Sequence, residues 1–335
     1  MSDSPPAAPD PMIDGAGLHI ALGGRQILHG VSFTVATGDV FGFIGPNGAG
    51  KSTTIRTMLG LYRPDAGSVR VAGHPAGTDE ARAATGFALD QDGLYDGLTA
   101  ADNIAFFRDL YGCRRDDQAV MRVLDQVGLA DRAQDRVRTF SRGMRQRTAI
   151  ARALAHDPQV VVMDEPTSGV DPVARQQLHG LIADLVRDRG LTLLISSHDL
   201  DEIQQLCTRI ALIGGGRIVL AGEVGELTRQ QGLGDLTVTT TAPVSASVAD
   251  ALRAEASLGV QHVDGRTLRL RPTGAPVSTA VATLAAHGVE VSDLTSSRAR
   301  LEQVFADAVA DAEAATASEK PEPQTRVRDS RAGAR

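Results

Sequence analysis

The run Gly45-Pro46-Asn47-Gly48-Ala49-Gly50-Lys51-Ser52 has the residue types and spacing of a loop that wraps a phosphate group. Its glycines let successive backbone N–H groups curl toward phosphate oxygens, and a helix starting at the end of the loop adds the partial positive charge of its N-terminus. Lys51 is placed to reach the β- and γ-phosphates of a nucleoside triphosphate such as ATP, Ser52 to offer a hydroxyl to Mg²⁺, and Thr53 to extend the cradle. Lysine usage points to the same residue. Among 34 basic residues only Lys51 and Lys320 are lysines, and Lys320 falls in a stretch of disordered composition. A chain that uses arginine almost everywhere else and keeps a lysine here needs a compact ammonium, which a planar guanidinium does not mimic.

A second centre carries acid chemistry. The apolar run Val160-Val161-Val162-Met163 delivers Asp164 and Glu165 to its end, where ligands bind in open α/β sheets. Asp164 is a candidate Mg²⁺ ligand, and Glu165 a candidate base that takes a proton from, or orients, an attacking water. Ser196-Ser197-His198 closes a later apolar run, which leaves His198 at a strand end. Ser141-Arg142-Gly143 opens a helical pattern and makes a second possible anion site at a helix N-terminus. Asp171 precedes Pro172 at a helix start, where N-capping alone would explain it.

These residues need a scaffold of alternating strands and helices. Val40 to Ile44, Val160 to Met163 and Leu191 to Ile195 are short apolar runs suited to buried parallel strands. Helical patterns cover Ser52 to Leu61, Thr99 to Leu110, Gln118 to Val127 and Pro172 to Arg189, the last opened by Asp171-Pro172 and closed by Gly190. A mostly parallel sheet follows, with a helical insert at about 95–155. From residue 225 the order becomes strand, helix, two strands, helix, strand, which predicts a small ferredoxin-like βαββαβ module to 310. A further helix is expected at about 299–310, with a disordered leader over 1–14 and a disordered tail over 311–335. The main α/β domain then spans 15–224.

In order, the phosphate loop, the segment around Asp90 and Gln91, Phe140-Ser141-Arg142-Gly143-Met144, Asp164-Glu165, Ser168-Gly169-Val170-Asp171 and Ser196-Ser197-His198 resemble the ABC ATPase family over about residues 18–225. The ending Arg300-Leu301-Glu302-Gln303-Val304-Phe305 is similar to that of the bacterial drug and antibiotic export branch. The resemblance implies a P-loop NTPase fold of ABC type. It implies ATP hydrolysis with Mg²⁺ and a separate transmembrane permease as partner. Two chains would pair head to tail, Ser141 and Gly143 of one closing on the γ-phosphate held by the other. It also implies that His198 contacts the γ-phosphate and that Asp90 or Gln91 senses the metal, the spacing leaving both open; for Asp171, cap only and cap plus a contact to another subunit both stay open. A homodimer is expected, pairing with another cassette being the alternative. Two departures stand out: Arg142 replaces the first glycine of the usual signature, and Leu22 stands where many relatives stack an aromatic on adenine.

Composition agrees with this reading. The chain has 42% hydrophobic and 22% charged residues, and no apolar run approaches the roughly 18–20 residues of a membrane helix. A net charge of −7 argues against a broad nucleic-acid surface. Cys113 and Cys207 fit no metal spacing and suggest no disulfide framework. The expected location is the cytoplasm, peripheral at the inner face of the cell membrane. Rival readings are an ABC ATPase outside transport and an interaction subunit with weak hydrolysis.

Overall fold

The computed structural model describes residues 11–89, 92–230, 236–270, 272, 277–296 and Phe305. In chain order the elements begin with β1 (Ile13–Leu22), β2 (Arg25–Val35), β3 (Val40–Ile44), α1 (Lys51–Met58), β4 (Ala66–Val71), β5 (His74–Pro75), α2 (Asp79–Ala83) and β6 (Thr85–Ala88). A helical stretch follows with α3 (Ala100–Leu110), α4 (Asp117–Gln126) and α5 (Arg142–Leu154). Then come β7 (Val160–Asp164), α6 (Pro172–Arg189), β8 (Thr192–Ser197), α7 (Leu200–Leu206), β9 (Arg209–Gly214), β10 (Arg217–Glu223) and α8 (Val224–Gln230). The last group is β11 (Leu236–Thr240), α9 (Ala246–Ala254), β12 (Val260–Asp264), β13 (Thr267–Leu270), α10 (Val277–Ala286) and β14 (Val291–Ser296).

The central sheet has the order β10-β9-β3-β8-β7-β6, parallel except where β10 returns antiparallel along β9. Its strands are apolar on both faces because both are covered. Val40, Ile44, Val161, Met163, Leu193 and Ile195 belong to one core with α3 to α6, while Phe41, Phe43, Val160, Val162 and Leu194 pack with the antiparallel sheet β2-β1-β4-β5. The period-two side-chain alternation of a strand produces this division. Phe33, Phe41 and Phe43 meet edge-on or tilted in the second core, with Phe33 and Phe43 centroids 4.8 Å apart. Asp171 caps α6, its Oδ1 accepting from the amides of Val173 and Ala174 at 3.1 and 3.0 Å, and Gly190 ends it with φ 61°.

Two boundaries differ from expectation. The leader expected over 1–14 ends earlier: Ile13 and Asp14 lie in β1, and Ile13 is fully buried, paired with Val35 on one side and Val71 on the other. Pairing with distant strands overrides a local composition rich in proline and aspartate. Helix α1 stops at Met58 rather than Leu61, and the amides of Leu61 and Tyr62 turn back to the Arg56 carbonyl.

The third sheet has the order β12-β13-β11-β14, antiparallel throughout, with α9 and α10 packed on it through Leu252, Ala280 and Leu284. This is the expected ferredoxin-like βαββαβ arrangement. The helix and tail expected beyond 299 lie outside the described residues apart from Phe305, which is buried in the same core as α5 and β7.

One half-buried histidine makes the helical stretch sensitive to acid. His156 stacks flat on Tyr111 at 3.7 Å, and neither ring nitrogen has a hydrogen-bond partner of normal geometry. Burial pushes its pKa from 6.5 down to about 4. The folded state therefore resists a proton that the unfolded chain accepts, so this site's stability is full above pH 6.5 and is lost as pH falls toward 4. His156→Phe preserves the stack and cannot be charged. Its melting temperature should fall by several degrees less than the wild type's between pH 7.5 and pH 5 (on the order of 3 °C per kcal/mol); equal acid limbs in thermal melts would contradict this.

Candidate functional site

The parallel register sets the site. Ile44 pairs with Ser197, and Ser196 with Asp164, so the C-terminal ends of β3, β8 and β7 lie side by side. A cavity of about 420 Å³ opens there, lined by Ile27, residues 46–53, Arg56, Asp164, Glu165, Ser168 and His198.

The phosphate loop is shaped by contacts that exclude side chains. A Cβ on Gly45 would lie 2.2 Å from the Ile213 carbonyl oxygen, and one on Gly50, at φ 110°, would lie 2.7 Å from a Leu28 methyl. The loop closes on itself through the Ala49 amide to the Pro46 carbonyl at 3.2 Å, and Gly216 N–H donates to the Ala49 carbonyl at 3.0 Å. Lys51 is only 5% exposed, and its Nζ donates to the Gly45 carbonyl at 2.7 Å and the Pro46 carbonyl at 3.4 Å. The same ammonium lies 3.5 Å from Glu165 Oε1.

Opposite the loop, the buried Asp164 accepts from Ser52 Oγ at 3.2 Å and from Ser196 Oγ. Glu165 takes φ 52°, a left-handed backbone for a non-glycine residue, and its amide donates to the Ser196 carbonyl at 3.1 Å. Strain of this kind persists where surrounding structure over-determines it and clusters at functional sites. Glu165 Oε2 is 2.6 Å from Nδ1 of His198, whose ring is largely exposed. Behind them the buried Glu202 accepts from Thr167 Oγ1 at 2.9 Å and Ser197 Oγ at 2.6 Å, joining the segments that follow β7 and β8.

The structure thus brings Pro46, Asn47, Gly48, Ala49, Gly50, Lys51, Ser52, Thr53, Asp164, Glu165 and His198 to one cavity, with Gly45 bounding its loop. Ser141 and Gly143 lie outside it: Ser141 caps α5 by accepting from the Met144 amide at 3.3 Å, and Gly143 packs against Ala174. Asp171 lies outside it as well, at the start of α6. Asp90 and Gln91 fall outside the described residues. Leu22 does not reach the cavity; it sits at the exposed end of β1 beside the turn through Gly23 and Gly24, and the aliphatic wall is Ile27. Sequence reasoning gave no cavity role to Ile27, Arg56 or Ser168, and missed Glu202. Arg56 was recoverable, since it stands one helical turn beyond Ser52. The others depend on long-range packing.

The oxygen donors fit the group the motifs imply. Ser52 Oγ and Asp164 Oδ1 stand together at the mouth of a glycine cradle, an all-oxygen pair suited to Mg²⁺, which takes few protein ligands and completes its shell with water and phosphate.

A family profile described as ABC transporter matches residues 28–168. Linearmycin resistance ATP-binding protein LnrL of Bacillus subtilis (strain 168) is 32% identical over 302 residues, covering 88% of this chain and 97% of that protein. Nod factor export ATP-binding protein I of Rhizobium sp. (strain N33) is 39% identical over 214 residues, 63% of this chain and 70% of that protein. A solved structure described as the ATP binding subunit of an ABC transporter superposes with a TM-score of 0.59 at 28% identity, over 66% of this chain and 94% of that one.

The seat of Lys51 generates a prediction. Two carbonyls and one carboxylate oxygen receive a point charge in a nearly closed space, and a guanidinium fork is too wide for it. Lys51→Arg should weaken ATP binding nearly as much as Lys51→Ala. Titration with a fluorescent ATP analogue checks this, and normal affinity in the arginine variant would refute the argument from lysine scarcity.

Proposed function

The chain belongs to the ABC transporter family as an ATP-binding subunit, and from that premise we propose that it drives export through a separate membrane-spanning subunit by closing head to tail with a second copy. ATP with Mg²⁺ is what such a subunit binds and hydrolyses. The observation that carries the proposal is the half-built site. Loop, carboxylates and histidine line one cavity, whereas the helix N-terminus lies outside it, with Ser141 exposed toward solvent and Gly143 buried behind it, and would meet another chain's nucleotide. A γ-phosphate would then sit between two helix N-termini.

Within one chain, the ATP phosphates compete with the Gly45 and Pro46 carbonyls for the Lys51 ammonium and draw it from Glu165 Oε1, 3.5 Å away. Glu165, still paired with His198, then accepts a proton from the attacking water. Mg²⁺, when bound, would be held by Ser52 and Asp164 and sensed by Asp90 or Gln91, and would supply neutralisation of the charge on the phosphates. Asp171 acts as the cap of α6 and as a contact to the other chain.

An apolar groove of about 570 Å³, lined by Met58, Leu61, Phe87, Leu110 and Tyr111 among others, supports docking of the membrane subunit on this face. Leu61 and Leu110 are 59% and 69% exposed, and Phe106 on the same helix as Leu110 is also exposed. Among the described residues no helix is long and apolar enough to cross a membrane. Export is favoured over import by the relatives named for resistance and Nod factor export. Residues 15–224 form the ATPase domain and 225–310 the accessory module in this reading.

Glu165→Gln keeps side-chain shape and leaves Asp164 in place, so it should bind Mg-ATP normally while turnover drops by roughly 100-fold or more. In size-exclusion chromatography with light scattering it should run as a dimer with Mg-ATP and as a monomer with ADP. Turnover near that of the wild type, or a monomer under both conditions, would refute the proposed role or the pairing. Direction has its own check. Inside-out vesicles carrying the co-purified complex should accumulate substrate on ATP addition, whereas ATP-driven loss of preloaded substrate would indicate import.

A further inference from the structure

Arg142 is the first residue of α5, directly after the capping Ser141, at the positive end of the helix dipole where a cation is least favoured. Its guanidinium is nonetheless fixed in place. Nε donates to the Ser168 carbonyl oxygen at 2.9 Å. The group also lies against Gly169, where a Cβ would approach Cζ to 2.8 Å and Nε to 2.9 Å. Gly169 has φ 67°, so that seat favours glycine on backbone grounds as well. Ser168 is itself a wall of the nucleotide cavity, and its amide donates to the Glu165 carbonyl at 3.1 Å. Two hydrogen bonds through one residue therefore join the start of α5 to the backbone of Glu165.

We propose that Arg142 is a positioning residue that couples the two nucleotide sites of the pair: its bond to Ser168 ties the cavity of its own chain to the helix N-terminus that closes on the partner's nucleotide. This rests on the head-to-tail reading above. A shift of Ser141 on meeting the partner's γ-phosphate is carried through the guanidinium to Ser168 and so to Glu165, which aligns the carboxylate only when both sites are filled. The competing role for the same side chain is a bare positive charge aimed at the partner's phosphate.

Side-chain chemistry separates the two. In arginine the donating Nε is bonded to Cδ, and in glutamine the amide nitrogen is bonded to the same carbon. Arg142→Gln thus keeps a donor at the same remove from the backbone and discards the charge. Arg142→Lys does the reverse, placing a methylene where Nε stood and keeping the charge one atom further out. Arg142→Ala removes both. Steady-state ATP hydrolysis by the full chain should show kcat lowered about tenfold in the Ala and Lys variants, with KM for ATP changed less than about twofold and the Gln variant within about threefold of wild type, as expected for loss or retention of one hydrogen bond. Gly169→Ala reaches the same contact from the other side. It should lower kcat similarly, and its loss should not add to that of Arg142→Ala.

Three results overturn the proposal: a Lys variant near wild type with Gln as poor as Ala, which assigns the effect to charge; all three variants within twofold of wild type; or all three equally impaired. Gln and Lys are of similar bulk at an exposed position, so their comparison stands even if the Ala variant folds poorly. Dimer formation by Glu165→Gln with Mg-ATP, Arg142 intact, reads the head-to-tail arrangement separately. If no dimer forms, both readings fall; if it forms while the Arg142 series is indifferent, only the coupling falls.

Discussion

Parallel pairing of β3, β8 and β7 is the constraint from which the site follows. Each strand contributes only a few residues to chemistry, and those residues are adjacent only because Ile44 stands beside Ser197 and Ser196 beside Asp164. A shift of one residue along any of these strands would exchange its two faces and turn apolar side chains away from their covers. The opposed cores hold the register: Phe41 and Phe43 on one face and Val40 and Ile44 on the other cannot trade places without losing packing on both. The position of Lys51 relative to Glu165 is thus fixed by hydrophobic burial far from either charge.

The site itself is under strain where the sheet ends. Glu165 holds a left-handed backbone while its amide is tied to Ser196 and its carboxylate is shared between Lys51 and His198. Glu202 braces this from behind, since Thr167 and Ser197 both donate to its buried carboxylate. Removing one member of such a network leaves a buried charge short of partners, which costs more than the net worth of a single hydrogen bond. The arrangement keeps Glu165 beside the cavity in the resting state while one of its oxygens is occupied by Lys51.

Much of this was readable without coordinates because the relevant residues come in short runs at strand ends. The phosphate loop, Asp164-Glu165 and His198 each follow an apolar strand, and α6 declares itself through Asp171-Pro172 and Gly190. The βαββαβ module was legible for the same reason, alternation followed by turn residues. What was not legible is pairing between distant segments. Ile13 looks like part of a polar leader until its partners Val35 and Val71 are known. Ile27 rather than Leu22 reaches the cavity because the Gly23-Gly24 turn carries Leu22 to the exposed end of its strand, a matter of strand register and not of residue type. Glu202 reads as an ordinary acidic residue near the start of a helix, and only the fold shows that it is buried.

Helix α5 joins these observations mechanically. Arg145 binds Asp92 at 2.7 and 3.1 Å and also reaches Asp96, so the helix grips the segment that follows residue 91. Burial alone would raise the Asp92 pKa, but its bonds to Arg145 and to the Leu94 amide outweigh that and hold the carboxyl below its usual range, so the pair stays ionised at neutral pH. One turn earlier Arg142 holds Ser168, and further along Arg152 donates to the Phe87 carbonyl at 2.9 Å and lies over the Phe87 and Phe107 rings. Positions 142, 145 and 152 share one stripe of a helix. Phe87 also lines the apolar groove, so on the proposed reading a load applied there by a membrane subunit meets the same rigid rod that begins at Ser141. Arginine suits each contact because its fork grips carboxylates and carbonyls while its plane covers rings, which gives a physical use to a composition in which Lys51, seated where a point charge is required, is the sole lysine besides Lys320.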